Sequence, residues 1–498
     1  MSFWSNNFPY SRNTDSDLRQ LIEMYQKAVS GLESLPQLIQ EYVTESGLIA
    51  NLQSNMLLDI INIRYPYGDL EACAGDSVSD DTTKLQAFIN YAAANNKILY
   101  APAGRYLINT AGQMAGGSVA RDYCLKIPSN LKMFGEGSTS TFFVTNSIDS
   151  DLFTTIRTIP TRRLYLSGLS IIGSGSLAGS NEGFGLWLYH MTDIHLDDII
   201  IQDCANWNLR MEWCSQFHVS NSRFIGGINT NSDSFHMVDC SYGYINNIEC
   251  ISQSDDGFVF EANQQPIHDI FTDGVNVRLV NAIGLKPRGI GFFSSTDMEK
   301  SHYNIVIDNA IVSSNGFDVQ VSTCRMENCR ISGAMYGSDI GLYLQASARS
   351  SRKEGLIKGC TFDLTKDGGG NPLVMAEVSG SIQDCNININ AINYSGYVQL
   401  KGNGNVYNMH LSPKSDITTI GVSEGSCNEI NLQWRLDTSD SSIKFTVSSG
   451  QRNIINVQQL SSGGGIHISS NDNQINGILR SAITTSGTGN QNNTFVPA

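Results

Sequence analysis

Much of the chain alternates apolar and polar positions in short runs separated by polar turns. "IHLDDIIIQDC" (194–204), "FHVSNSRFIGG" (217–227) and "YINNIECISQS" (244–254) share one pattern of alternating strand, polar turn and alternating strand. Their starts lie 217 − 194 = 23 and 244 − 217 = 27 residues apart. Between them falls a second set of short runs, "GLWLY" (185–189), "NLRME" (208–212), "SFHMV" (234–238) and "GFVFE" (257–261). Period-two alternation over a few residues predicts half-buried strands. Several such strands recurring at a period near the low twenties predict a parallel β coil whose turns stack roughly 4.8 Å apart.

The far end repeats as well. "NVYNMHL", "NEINLQW", "NIINVQQ" and "NQINGIL" begin at Asn405, Asn428, Asn453 and Asn473, with a weaker copy at Asn492. Asn408, Asn431, Asn456 and Asn476 fall in register three residues into each copy. Stacked side-chain amides can satisfy one another between turns, so a structural ladder is expected, with sugar binding as the alternative.

The start of the chain has a different period. Leu18, Leu21, Ile22, Tyr25, Val29 and Leu32 recur at helical steps, and after Pro36 so do Leu38, Ile39, Tyr42 and Val43. Such short amphipathic helices bury little alone. They require either a trimeric bundle or packing on their own chain. A further helix is expected over Thr82–Ala94, with Leu85, Phe88, Ile89 and Ala92 on one face and Asp80 or Asp81 at its cap. Two short strands around Pro102-Ala103-Gly104 follow it.

Composition narrows the function classes. The net charge is −15 and charged residues make up only 16%. A nucleic-acid groove needs a basic face, so none is expected. The acidic balance suits neutral or cationic glycans better than a polyanion. No run of about 18 apolar residues predicts a membrane span, and the N-terminus lacks the basic-then-apolar order of a secretory signal. The eleven cysteines form no CxxC pair. Buried free thiols made in a reducing cytoplasm are expected, with disulfides or metal binding as alternatives.

Gly75-Asp76-Ser77, Asp80-Asp81-Thr82 and Pro102-Ala103-Gly104-Arg105-Tyr106, continued by "LKIPSNLKMFGEGSTSTFF" (125–143), resemble the opening of the pectate-lyase-like right-handed β-helix superfamily. The resemblance implies an all-β, right-handed parallel β-helix with a short N-terminal α-helical region. The expected divisions are a helical region over 1–60, a capping helix and first strands over 61–110, a β-helix body over 111–400, and Asn-rich coils over 401–498 with a trimeric β-prism as an alternative ending.

In that frame one stretch stands out. "NSD" places Asp233 just before "SFHMV", and "SDDG" places Asp255 and Asp256 just before "GFVFE", 22 and 23 residues later (255 − 233 and 256 − 233). One coil of that length stacks the three carboxylates on one lateral surface. Neighbouring like charges raise the pKa of one member, giving a proton donor beside an ionised partner, as an inverting glycosidase requires. The stretch resembles the polygalacturonase-like glycoside hydrolases, which implies Asp255 or Asp256 as acid and the remaining aspartates as water activators. The later Gly-His-Gly of that pattern is missing, and "LKPRG", with Lys286 and Arg288, is the basic stretch nearby. Asp is also a favoured turn former, so a purely structural role for all three stays open. Trp207, Trp213, His236, Glu261, Lys286 and Arg288 are candidate substrate-binding residues, with core packing the alternative for the two tryptophans and a structural role for His236. No metal or other cofactor is expected.

The helical start, capped β-helix and Asn-rich end together resemble bacteriophage tailspikes and neck appendages, and "FWSNNFPYS" resembles virion-attachment tails of small podoviruses. The resemblance implies a homotrimer made in the host cytoplasm and carried on the virion. It would join other tail or neck proteins through residues 1–60, bind and hydrolyse a host surface polysaccharide, and insert into no membrane. A non-enzymatic receptor-binding or structural virion protein, and a secreted polysaccharide lyase, are the alternatives.

Overall fold

The computed structural model describes residues 60–495 apart from short internal segments, among them 115–120, 177–182, 264–271, 285–287, 295–301 and 347–354. The helices expected before residue 60, and Lys286, lie outside the described residues.

The chain enters through strand Ile60–Asn62, which pairs in parallel with Ile98–Ala101. Helix Thr82–Ala94 lies between them in sequence and buries Leu85, Phe88, Ile89 and Ala92, the apolar stripe expected of it. Of the two aspartates before it, only Asp80 caps with its side chain. Asp80 accepts the backbone N–H of Thr82 at 2.9 Å and also its hydroxyl. Asp81, wholly buried, accepts the N–H groups of Ala74 and Gly75 at 2.7 and 2.8 Å and so ties the preceding loop to the helix.

Beyond the cap the chain winds as a right-handed parallel β-helix. Among the described residues its strands form one 25-stranded and one 16-stranded sheet. They pair in parallel except for Gly112–Met114 against Arg121–Ile127. In the smaller sheet Leu186, Leu209, Phe235, Phe258 and Ile290 lie in register on successive coils, all fully buried. Identical faces repeat, so like side chains stack inside. The Phe235 and Phe258 rings lie 5.0 Å apart, and Phe260 and Phe292 lie 4.7 Å apart at 8°. Such pairs add about 0.5–1.5 kcal/mol each beyond their buried area. In the larger sheet Gly243 stacks on Phe217, where a Cβ would fall 2.0 Å from the ring. Glycine there makes room for the phenyl group.

The Asn-rich end continues the same coil through strand Gln491–Phe495, in register with Gln474–Ile478, Ile454–Gln459 and Glu429–Trp434. Two asparagine ladders run here. The outer one is the expected ladder: Asn431 donates to Asn408 at 2.8 Å, Asn456 to Asn431 at 2.7 Å and Asn476 to Asn456 at 2.9 Å. The inner one is buried and faces backbone. The N–H groups of Asn405, Asn428, Asn453 and Asn473 donate to the side-chain oxygens of Asn428, Asn453, Asn473 and Asn490 at 2.9–3.1 Å. The same corner upstream holds Cys329, Cys360 and Cys385, and the Cys385 N–H donates to Asn405 Oδ1 at 2.9 Å. The cysteines are unpaired, all buried but Cys427. They fill a corner that asparagine fills further on, their thiols donating to carbonyls, as Cys360 does to Met326 at 3.5 Å.

Candidate functional site

The acidic residues sit at the corner that leads into the smaller sheet, ahead of strands Phe235–Val238 and Phe258–Ala262. Successive coils tie themselves together there through carboxylates. Asp233 Oδ1 accepts the backbone N–H of Asp256 at 3.1 Å, 23 residues on. Asp256 Oδ1 accepts the backbone N–H of Arg288 at 3.0 Å, one longer coil further. The turn-forming role is thus real for both. It uses only one oxygen of each.

The three carboxylates converge. One carboxylate oxygen from each of Asp233, Asp255 and Asp256 lies within 4.8 Å of those of the other two. That spacing of single oxygens is close enough to share a cation. Asp256 Oδ2 meets the Arg288 guanidinium at 2.7 Å. Asp233 Oδ2 meets His236 Nδ1 at 2.5 Å, and His236 Nε2 meets Glu261 Oε2 at 2.8 Å. Asp233 and Asp256 are buried, whereas Asp255 is half-exposed at the surface of the cluster.

The charges shift one another. Burial, with the Asp233 charge behind it, raises the Asp255 carboxyl to about 6 against the pull of Arg288. Burial and the neighbouring aspartates also push Asp256 well up. Asp255 and Asp256 therefore titrate together and not as separate groups. Burial alone would lower His236, but its hydrogen bonds to Asp233 and Glu261 outweigh that and hold it at about 9.

The other expected residues fall differently. His236 is buried with both ring nitrogens engaged by carboxylates, and Glu261 is buried beside it. Both polar atoms of the His236 ring, and Oε2 of Glu261, are thus committed to neighbouring side chains. Trp213 is only 5% exposed and packs on Tyr189 at 4.9 Å, so its ring is core and not a sugar platform. Trp207 is half-buried, stacked on Phe184 at 5.0 Å with Arg210 4.3 Å over its ring, and its indole donates to the Asn231 carbonyl at 2.9 Å. Arg288 does reach the cluster.

Two features were not anticipated. Arg210 and Glu212 pair at 3.1 Å on the coil before His236, and Asp239, wholly buried, is raised by burial to about 7. Register carries the signal for the first: Arg210 precedes His236, and Glu212 precedes Val238 and Glu261, at outward positions of the alternating strands.

The fold and this corner define a right-handed parallel β-helix with an acidic cluster at one corner of its coils. No protein-family model matches the chain. It is 24% identical over 282 residues to the "probable rhamnogalacturonase B" of Aspergillus terreus, covering 53% of this chain and 48% of that protein. It is 22% identical over 278 residues to rhamnogalacturonase A of Aspergillus aculeatus, covering 54% and 58%. The chain thus spans about half the length of the curated relatives it matches. Among solved structures, a mutant tailspike protein of E. coli bacteriophage HK620 in complex with a pentasaccharide aligns with TM-score 0.51 at 13% identity, over 88% of this chain and 79% of that one. That likeness is one of fold.

Proposed function

We propose that this protein is a tailspike-type virion protein that binds a host surface polysaccharide and hydrolyses it during adsorption. The convergence of Asp233, Asp255 and Asp256 within 4.8 Å carries the reading. The rhamnogalacturonase relatives are named for glycan hydrolysis, and the HK620 tailspike is seen with a pentasaccharide. Asp255 is the acid: it is the half-exposed member, and its raised carboxyl holds a proton at mildly acidic pH. It protonates the glycosidic oxygen as the carbon–oxygen bond breaks. Asp233 and Asp256 orient the water that attacks the anomeric carbon, and Asp233 takes its proton. Acid–base assistance of this kind is worth about 10²–10⁴ in rate.

The protein acts as a homotrimer on the virion, attached through residues 1–60 to other tail or neck proteins. A stable monomer in light scattering at micromolar concentration would remove the trimer from this picture. Hydrolysis is tested by incubating the purified protein with wall and capsule polysaccharides of candidate hosts. New reducing ends are expected with wild type and not with Asp255→Asn. A second reading, a receptor-binding spike without chemistry, draws support from the corner itself, where Asp233 and Asp256 each hold a backbone N–H of the next coil. Glycan binding without released oligosaccharides would establish it.

A further inference from the structure

Every polar atom of the His236 side chain is spent on a carboxylate. The Nδ1 side meets Asp233 at 2.5 Å, within its own coil corner, and the Nε2 side meets Glu261 at 2.8 Å, 25 residues on. The line Glu261–His236–Asp233 is buried, yet its last member belongs to the acidic cluster. Parallel register sets it up. His236 and Val259 are Cα partners, so Glu261, two residues beyond Val259, points outward beside the imidazole. A buried carboxylate costs free energy unless it is paired and hydrogen-bonded, and the imidazole gives Glu261 such a partner. Trp207 packs on the His236 ring at 4.7 Å and restricts its tilt.

We propose that His236, held by Glu261, is a positioning residue that clamps Asp233 through Oδ2 and so fixes the direction of its carboxylate at the acidic cluster. The inference rests on the hydrolytic reading for its kinetic consequence and on geometry for the clamp. With both nitrogens facing carboxylates, the imidazole acts as a cation between two anions and not as a proton carrier. The charged groups around it are Arg210 on the preceding coil, Asp255, Asp256 and Arg288 beyond Asp233, and Asp239 beyond Glu261. Arg210 is occupied by Glu212 and Arg288 by Asp256, which leaves His236 as the cation for Asp233 among the described residues. Asp233 thus has three fixed relations: a backbone N–H on Oδ1, an imidazolium on Oδ2, and the cluster in front.

The test uses full-length protein and the polysaccharide that wild type degrades. His236→Asn keeps a donor near the Nδ1 position without charge. Its kcat is expected to fall about a hundredfold, the scale on which a catalytic group displaced by an ångström loses rate, with KM within about twofold of wild type. Glu261→Gln, which keeps an acceptor for the imidazole, is expected to lose about tenfold and to shift the pH–rate profile. Wild-type kcat and pH profile in both variants, or a loss of kcat that merely follows a lower melting temperature, would overturn the clamp. A second measurement separates it from the hydrolytic reading. In histidine-labelled wild type, nitrogen NMR should show His236 protonated on both nitrogens at pH 7, and Glu261→Gln should lower its titration midpoint. A wild type that binds glycan but releases nothing overturns hydrolysis; the clamp then stands on those spectra, where a neutral His236 at pH 7 would overturn it.

Discussion

Asp256 and Arg288 are joined twice, by the Arg288 backbone N–H on Asp256 Oδ1 at 3.0 Å and by the guanidinium on Oδ2 at 2.7 Å. The same residue therefore closes a turn and holds a cation at the acidic corner. Asp255, next to it, holds no backbone N–H of another coil with its carboxylate among the described residues, and its own N–H donates to Ser252 Oγ at 2.9 Å. That contrast separates the effects of two adjacent substitutions.

Asp255→Asn should reduce turnover by about 10²–10⁴ while leaving glycan affinity and melting temperature near wild type. Asp256→Asn should lower both turnover and stability, because it leaves Arg288 without its anion. Paired kinetics and thermal melts on the two variants check this. Equal melting losses would show that Asp255 is also structural.

Activity should fall as pH rises through about 6 if Asp255 is the acid, since it must carry a proton to act and its carboxyl is raised to about that value. A pH–rate profile in the presence of saturating glycan reads this limb directly. Its disappearance in Asp255→Asn identifies the group.

Asp239 offers a pure stability test. In the fold its carboxyl keeps its proton up to about 7; the unfolded carboxyl releases it near 3.8. A group whose folded pKa is raised in this way favours the fold most at low pH, and that contribution is lost as pH climbs from about 4 to about 7. Asp239→Asn should accordingly melt higher than wild type at pH 8 and no higher at pH 4. Identical differences at the two pH values would refute the assignment.

Lys366 and Asp318 form a buried pair at 2.7 Å, both side chains fully enclosed, with the ammonium also donating to the Gly337 carbonyl. Asp318 further accepts the N–H groups of Ser314 and Gly337 at 3.0 and 3.1 Å. Lys366→Met strands that carboxylate and should cost about 3–5 kcal/mol. Adding Asp318→Asn should return part of the loss, measured by denaturant unfolding.

What could be read from the chain was periodic. Alternating runs and their spacing place Asp233 and Asp256 on neighbouring coils, and helix Thr82–Ala94 occupies the residues its apolar stripe indicated. What could not be read was set by positions outside the alternation. Trp213 follows strand Leu209–Glu212 in a left-handed backbone conformation, φ 53°, so its direction is fixed by the corner and not by strand parity. The His236–Glu261 contact needs the register between two coils, which spacing alone leaves open by a residue either way, and one residue would turn Glu261 to the other face. Cys329, Cys360, Cys385 and Asn405 share a corner, but thiol and amide have no common signature in sequence.

The inner asparagine ladder gives the coil a direction in time. The Asn405 N–H is satisfied by the side chain of Asn428, that of Asn428 by Asn453, that of Asn453 by Asn473 and that of Asn473 by Asn490. Each corner is thus finished by a residue of the coil that follows it. On the ribosome, where the N-terminal coils emerge first, every newly wound turn waits with an open amide until the next has been synthesised. Removal of the segment that carries Asn490 would reopen the corner at Asn473, so fraying should begin at the C-terminal end and travel back one coil at a time.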